Sequence, residues 1–387
     1  MSAPQPLCHQ AVILVGGEGT RLRPITSRVP KPVVPMVERP FVGYILENLA
    51  RHGVRRAVFS TGHLADAIKQ AVGDGARYGL RVTYVVEDEP LGTAGAIKHA
   101  EGDLDDGCFF AFNGDVLTDV DLTALAAFHR DKGGVGTIYL TPVDDPRAYG
   151  LVQIDAAGRV KEFLEKPGAD YVGRALINAG VYVLEPAVLE MIPAGRMFSI
   201  ERGVFPRLAQ SGSQYGFPTS DSRRDIGTPD SYLRAHFDIL ERAVVTSVAE
   251  VMGDSYVYVA SGARVDERAR IVPPAYLAAD VTVAGGAQVG PLAVVGAGSQ
   301  VGEGALVSEA VVQEGVSIGA HATVQRSVVV RYSSIGAGCL VKEALVGEGC
   351  RVGVGNELAH GISLAPGTAL PDGSVVFRDI GDGGESR

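Results

Sequence analysis

The chain has 387 residues, 46% hydrophobic and 21% charged, the balance of a globular protein with two domains or one large one. No apolar run approaches the ~20 residues of a membrane span, and the opening MSAPQPLCHQ lacks the basic start and apolar core of a signal peptide. A net charge of −10 speaks against broad nucleic-acid binding, so an anionic ligand must be held by locally placed cations. The four cysteines, Cys8, Cys108, Cys339 and Cys350, include no CxxC pair, so zinc-ligand spacing is missing. They are expected to be reduced, in a cytoplasmic protein.

In chain order, AVILVGG (11–17), RRAVFSTG (55–62), RVTYVVED (81–88), CFFAFNGD (108–115) and GTIYLTPV (136–143) predict strands. Between them, FVGYILENLARHG (41–53) and HLADAIKQAVGDGARYG (63–79) predict helices stopped by glycine. Strand–helix alternation predicts an α/β, Rossmann-like, mainly parallel sheet with helices on both faces. Ligands in such sheets collect at the carboxyl ends of strands, where residues 16–32 and 113–115 fall. TPDSYLRAHFDILERAVV (228–245) predicts a connecting helix, with Thr228 as N-cap and Pro229 at the first helical position.

Beyond it the period changes to six. Val259, Val265, Ile271, Leu277, Val283, Val289, Val295, Val301 and Val307 follow at equal intervals. The run resumes in shifted phase at Ile318 and Val324, and again at Ile335, Val341, Val352 and Leu358. This period fits neither a helix nor a hairpin. It fits a coil of three short flat faces, each donating one inward side chain per turn. The pattern resembles the hexapeptide-repeat, left-handed parallel β-helix. The domains expected are 1–245, catalytic, and 246–387, a β-helix that stacks, caps or makes a homo-oligomer.

The glycine loop after the first strand is of neither common phosphate-binding kind. A Walker A loop needs lysine directly after its last glycine, but Thr20 and Arg21 follow Gly19. A dinucleotide fingerprint needs a third glycine where Leu22 stands. What remains is a glycine turn (Gly16, Gly17, Gly19) whose amides can cradle phosphate oxygens. Arg21 adds a planar multi-donor cation, and Lys31 a point charge between Pro30 and Pro32. Taken alone, the same residues also suit a surface turn with two solvated cations.

The stretch resembles the signature GGxGTRLxPxT…PKP of the sugar-1-phosphate nucleotidylyltransferases. The resemblance continues in order through EDEPLGTAGAI (87–97), FNGDV (112–116), FLEKP (163–167), INAGVYV (177–183), FSIERGVFPRL (198–208) and RDIGTPDSYL (224–233). The hexapeptide tail matches the branch that contains GDP-mannose pyrophosphorylases. The implied reaction joins an NTP and a sugar-1-phosphate into an NDP-sugar, releasing pyrophosphate. The sugar phosphate, with a second pKa of about 6, is already a nucleophile at neutral pH. Catalysis therefore rests on positioning and on neutralising charge.

The resemblance implies that the loop, Thr20, Arg21 and Lys31 hold the triphosphate and the leaving pyrophosphate. It implies Mg²⁺ bound by Asp115 and Asp225, two carboxylates being what this hard ion takes beside phosphate oxygens. Relatives carry an aromatic residue just before the second aspartate, where Arg223 and Arg224 stand here. Lys166 is expected on the sugar phosphate or α-phosphate, Glu165 on sugar hydroxyls, and Asn178 and Gly150 in the same pocket. Gly92 and Thr93 line the base segment. Glu87 stands five residues before Gly92, where uridylyl- and thymidylyl-transferring relatives tend to have Gln. An ionised carboxylate accepts from both N1–H and N2–H of guanine, whereas uracil and thymine suit an amide. The expected pair is GTP and mannose-1-phosphate.

Glucose-1-phosphate with dTTP, UTP or ATP is the alternative pair. A silent NDP-sugar-binding paralogue would be marked by loss of Arg21, Lys31 or Asp115, and all three are present. Acyl transfer on the β-helix would draw on His321 or His360, and neither stands in a matching motif. Asp119, Asp121 and Glu185 are expected to be solvated or capping carboxylates.

Overall fold

The computed structural model describes residues 8–17, 19–62, 65–165, 173–219 and 223–376. They form two compact units. The first holds the described residues up to Gly19, Val29–Val34 and Pro40–Ile226. The second holds Thr20–Arg28, Pro35–Arg39 and the described residues from Gly227 on.

The first unit is built on a nine-stranded sheet. Its strands are β1 (Gln10–Leu14), β2 (Arg56–Thr61), β3 (Arg81–Val86), β4 (Phe109–Asn113), β5 (Gly136–Val143), β6 (Gly150–Ile154), β7 (Val160–Glu165), β8 (Ala175–Leu184) and β9 (Gln214–Pro218). The order runs β7-β6-β8-β4-β1-β2-β3, with β5 between β8 and β9. Strands β4, β1, β2 and β3 are parallel, and β8 runs against β4. The sheet carries helices α1 (Val42–Arg51), α2 (Ala65–Val72), α3 (Gly92–His99), α4 (Leu122–Lys132), α5 (Ala187–Glu190) and α6 (Phe205–Gln210). Central strands covered on both faces must be apolar throughout, and Ala11, Val12, Ile13 and Phe109–Phe112 are buried accordingly. Asp121 caps α4, its Oδ1 accepting from the Ala124 N–H at 2.9 Å. Glu185 is no free carboxylate: its Oε1 lies 3.0 Å from Nε2 of the buried His129.

One expectation is corrected. Cys8 and Cys108 are joined in a disulfide, with Cα atoms 5.3 Å apart. The cause is register: β1 and β4 are parallel neighbours with Ala11 opposite Phe110, so the residues leading into both strands meet. Local spacing carries no trace of such a pairing. Cys339 and Cys350 are free and buried.

In the second unit, three parallel sheets of seven, seven and six strands wind up the left-handed β-helix expected from the period of six. Val257 pairs with Ala275 and Ala275 with Ala293, eighteen residues per coil. Ala293 then pairs with Ala310, Val311 with Val328 and Val328 with Leu345, seventeen per coil. This accounts for the shifted phase. At one corner the step between inward residues shortens to five: Val307 to Val312, Val324 to Val329 and Val341 to Val346, all buried. A single residue turns each short corner in the left-handed region: Glu309 (φ 48°), Arg326 (φ 46°) and Glu343 (φ 50°).

Helix α7 (Pro229–Leu240) starts as expected, with Thr228 and Ser231 forming a reciprocal capping box. It ends five residues early. Arg242 takes φ 61°, with bonds from its N–H to Ile239 O and from Ala243 N–H to Asp238 O. That is a Schellman stop without the usual glycine, so the sequence carries no signal for it. Arg242 stacks on Tyr256, 4.0 Å from the ring centroid.

Within α7, burial pushes the pKa of His236 down from 6.5 to about 4. Above pH 6.5 the ring is neutral both folded and unfolded. Between 6.5 and 4 the unfolded chain takes a proton that the fold refuses, so stability falls with pH by up to ~1.4 kcal/mol per unit. The melting temperature should therefore drop between pH 6.5 and 4.5, and less steeply in His236→Phe. Equal slopes in the two proteins would mean that His236 titrates alike in both states.

Candidate active site

The site forms where β1 has β2 on one side and β4 on the other, at their carboxyl ends. Leu14 lies opposite Asn113, and the Gly114 N–H donates to Leu14 O at 2.9 Å. A Cβ on Gly114 would come 2.5 Å from Val15 Cγ1, so only glycine lets this turn close against the loop after β1. Gly16, Gly17 and Gly19 occupy that loop, Gly19 with φ 63°. Thr20 and Arg21 open the next turn, Thr20–Leu22, in the second unit, with Arg21 exposed.

Lys31 heads a short turn, Lys31–Val33, set by Pro30 and Pro32. It is only 7% exposed, and a buried ammonium must be paired. Its Nζ lies 2.9 Å from Asp115 Oδ2 and 3.6 Å from Asp225 Oδ1. The two aspartates meet because Arg223–Asp225 pairs antiparallel with Val116–Thr118, Asp225 opposite Val116. The Ile226 N–H closes the pair onto Asp115 O at 3.2 Å. Asp225 Oδ1 is buried and accepts no hydrogen bond from the described residues. Two converging carboxylates with one unsatisfied oxygen suit a divalent metal that completes its shell with phosphate oxygens. Among the described residues no cluster of three or more His, Cys, Asp or Glu offers a fuller cage. Where relatives carry an aromatic residue before this aspartate, Arg223 instead lays its guanidinium over Tyr149, 4.9 Å from the ring centroid.

Glu87 follows β3, and its carboxylate packs on Gly16, where a Cβ would stand 3.6 Å from Oε1. Oε1 accepts from Ser60 Oγ at 3.0 Å, and Oε2 accepts from the Leu91 N–H at 2.9 Å. Each oxygen keeps a further lone pair. The carboxylate is thus fixed beside the phosphate loop, still able to accept two more donors. Ser60 was not singled out by sequence reading; a polar residue at the carboxyl end of an otherwise apolar strand is the signal that could have found it.

Gly92 begins α3 with φ 69°, and a Cβ there would come 2.9 Å from Phe198 O. The Thr93 hydroxyl donates to Glu201 Oε2 at 2.7 Å and accepts from the Ile200 N–H at 2.9 Å. It joins this segment to 198–201, with its one proton committed to Glu201. Glu201, which also takes the Ser199 hydroxyl at 2.6 Å, is a second residue sequence reading missed.

Gly150 and Glu165 are cross-strand partners on β6 and β7. A Cβ at 150 would stand 2.9 Å from Glu165 Oε2 and 2.8 Å from Phe163 Cζ, so the missing side chain makes room for the carboxylate. Asn178 shapes a bulge in β8: its Oδ1 accepts from the Gly180 N–H and its Nδ2 donates to Tyr182 Oη, both at 2.9 Å. Burial pushes the Tyr182 hydroxyl far up, with Glu201 and Glu165 adding to the shift, so it stays protonated. Lys166 lies outside the described residues.

The Nucleotidyl transferase family profile matches residues 10–242, and that of the GMPPB C-terminal domain matches 253–366. The chain belongs to the nucleotidyl transferase family. The enzyme is 39% identical over 376 residues to mannose-1-phosphate guanylyltransferase of Mycobacterium tuberculosis, covering 95% of this chain and 98% of that one. It is 35% identical over 331 residues to mannose-1-phosphate guanylyltransferase 1 of Arabidopsis thaliana (83% and 85% covered). It is also 31% identical over 341 residues to a UTP–glucose-1-phosphate uridylyltransferase of Synechocystis (84% and 88% covered). Among solved structures, HddC of Yersinia pseudotuberculosis superposes with a TM-score of 0.53 at 32% identity, over 60% of this chain and 99% of that one. The enzyme is a nucleotidyltransferase of NDP-sugar synthesis, and the family's chemistry uses a divalent metal. No described helix is long and apolar enough to cross a membrane.

Proposed function

We propose that the enzyme transfers guanylyl from GTP to mannose-1-phosphate, giving GDP-mannose and pyrophosphate. The carrying observation is the fixed Glu87 carboxylate beside Gly16, whose two remaining lone pairs match the adjacent N1–H and N2–H donors of guanine. Its similarity to mannose-1-phosphate guanylyltransferases supports the same pair. Mg²⁺ is the metal for Asp115 and Asp225; when bound it neutralises charge on the phosphates. Lys31 supplies a fixed cation for the leaving pyrophosphate and Arg21 a second, exposed one. Glu165 accepts from sugar hydroxyls, Asn178 lines the same pocket, and the sugar phosphate or α-phosphate is assigned to Lys166. Gly16, Gly17, Gly19 and Thr20 offer amides to the triphosphate, and Gly92 and Gly150 keep backbone close to the ligands.

Residues 1–245 serve as the catalytic domain, and 246–387 carry assembly into a homo-oligomer, supported by exposed Val259, Tyr332 and Val354 on the β-helix. A nucleoside-triphosphate substrate supports a cytoplasmic site of action; the Cys8–Cys108 disulfide, rare in reducing compartments, speaks against it.

The test is kcat/KM for GTP, UTP, dTTP and ATP in wild type and Glu87→Gln. Wild type should prefer GTP. The amide turns a donor toward a guanine donor, and losing a charge-assisted hydrogen bond costs roughly 1.5–3 kcal/mol, or about 10- to 150-fold. UTP and dTTP should not share the loss. A wild type that prefers UTP or dTTP would favour the glucose-1-phosphate pairing instead.

A further inference from the structure

The segment between the phosphate loop and α1 alternates between the two units. Thr20–Arg28, with Arg21, belongs to the second unit; Val29–Val34, with Lys31, to the first; Pro35–Arg39 to the second again. Both flanks of the Lys31 turn are therefore built into the unit that contains the β-helix.

The downstream flank is fastened by buried polar groups. Tyr232 of α7, wholly buried, donates its hydroxyl to Pro35 O and accepts from Gln313 Nε2 at 3.2 Å. Gln313, itself buried in the β-helix, accepts from the Arg331 N–H at 3.3 Å. Two residues past Pro35 the chain turns through Val37 (φ 43°) and Glu38 (φ 63°). Both lie in the left-handed region, and for a β-branched valine that conformation is a true outlier that its surroundings must enforce. The enforcing contact is visible. Glu38 Oε2 accepts from the Ala297 N–H at 3.2 Å, and a Cβ on Gly296 would come 2.8 Å from Oε1, so the coil leaves room for this carboxylate. Burial pushes the Glu38 carboxyl up. Arg39 donates to Ser247 Oγ. Upstream, Arg28 Nη1 stands 3.3 Å from Glu348 Oε1, and Glu348 Oε2 stands 3.4 Å from Arg331 Nη2.

From this arrangement we infer that Glu38 and Gln313 are positioning residues for catalysis: by clamping Pro35–Arg39 to the β-helix they fix the turn that carries Lys31. The β-helix then has a part in turnover as well as in assembly. The inference rests on the proposed pyrophosphate-releasing reaction, in which Lys31 meets the leaving group.

The test compares wild type, Glu38→Ala, Glu38→Gln and Gln313→Met at saturating GTP, mannose-1-phosphate and Mg²⁺, with melting temperature and oligomeric state measured alongside. Glu38→Ala should lose tenfold or more in kcat, with KM for GTP moving less than about threefold. Glu38→Gln should recover most of the loss, because an amide oxygen still accepts from the Ala297 N–H. Gln313→Met, similar in shape but without the amide, should lower kcat in the same direction and decides the matter if Glu38→Ala does not fold. Folded Glu38→Ala or Gln313→Met with kcat within twofold of wild type overturns the inference. A wild type inactive with every NTP and sugar phosphate tried would sink the reaction instead. Calorimetric affinity for inorganic pyrophosphate then scores the clamp: weaker binding in the variants supports it, and unchanged binding overturns it.

Discussion

Lys31→Ala should lower kcat by on the order of 10²-fold or more, equivalent to about 2.7 kcal/mol of transition-state stabilisation. The magnitude follows from where the ammonium sits. Only 7% exposed, it is a fixed charge in a site that excludes much of the water, where screening is weak. It is also the cation that joins Asp115, at 2.9 Å, to Asp225, at 3.6 Å. Removing it leaves two carboxylates facing each other without that neutralising charge and takes a cation from the leaving pyrophosphate. Lys31→Arg should not restore activity, because a planar fork does not fit a buried point-charge position. Steady-state kinetics on protein with a wild-type melting profile is the measurement. A folded Lys31→Ala with intact kcat would leave Lys31 as a structural counter-ion of Asp115 and Asp225 with no part in turnover. Arg21→Ala, measured in parallel, asks the same of the neighbouring turn.

The contrast between Lys31 and its surroundings shows what the sequence makes legible. Strands and helices of the first unit are written in runs and periods, and the β-helix in its interval of six, because each reflects burial repeated many times. Asp115 and Lys31 were legible as chemistry at strand ends and between prolines. Their 2.9 Å contact was not, since it joins residues 84 apart through the sheet. The same holds for Cys8 with Cys108, which only the β1–β4 register brings together. Ser60 behind Glu87 and Glu201 behind Thr93 are also long-range partners with no local pattern. The Arg242 helix stop defied reading for another reason: the structure places a left-handed residue where sequence rules look for glycine. Val37 and Glu38 repeat that departure beside the Lys31 turn, and there the β-helix is what holds the backbone.

Asp115→Asn should remove most activity, on the order of 10²- to 10³-fold in kcat/KM, in the range seen when one charge-stabilising group is lost. The substitution keeps shape and one acceptor oxygen but deletes the ligand charge. Asp115 is the more exposed of the pair, 39% against 27% for Asp225. With asparagine there, Lys31 loses its close ionic partner and keeps only the 3.6 Å approach to Asp225, whose Oδ1 still has no hydrogen bond. Two effects follow, and they separate experimentally. Weakened metal binding is a mass-action loss, so raising Mg²⁺ well above the wild-type requirement should recover part of the rate. The displaced Lys31 is not corrected by metal, so a residual deficit should persist at saturation. A Mg²⁺ titration of initial rates in wild type, Asp115→Asn and Asp225→Asn reads both. The Mg²⁺ concentration for half-maximal rate should rise in each variant. Near wild-type turnover of Asp115→Asn at saturating Mg²⁺, with an unshifted midpoint, would remove Asp115 from the ligand set and leave it as the counter-ion of Lys31.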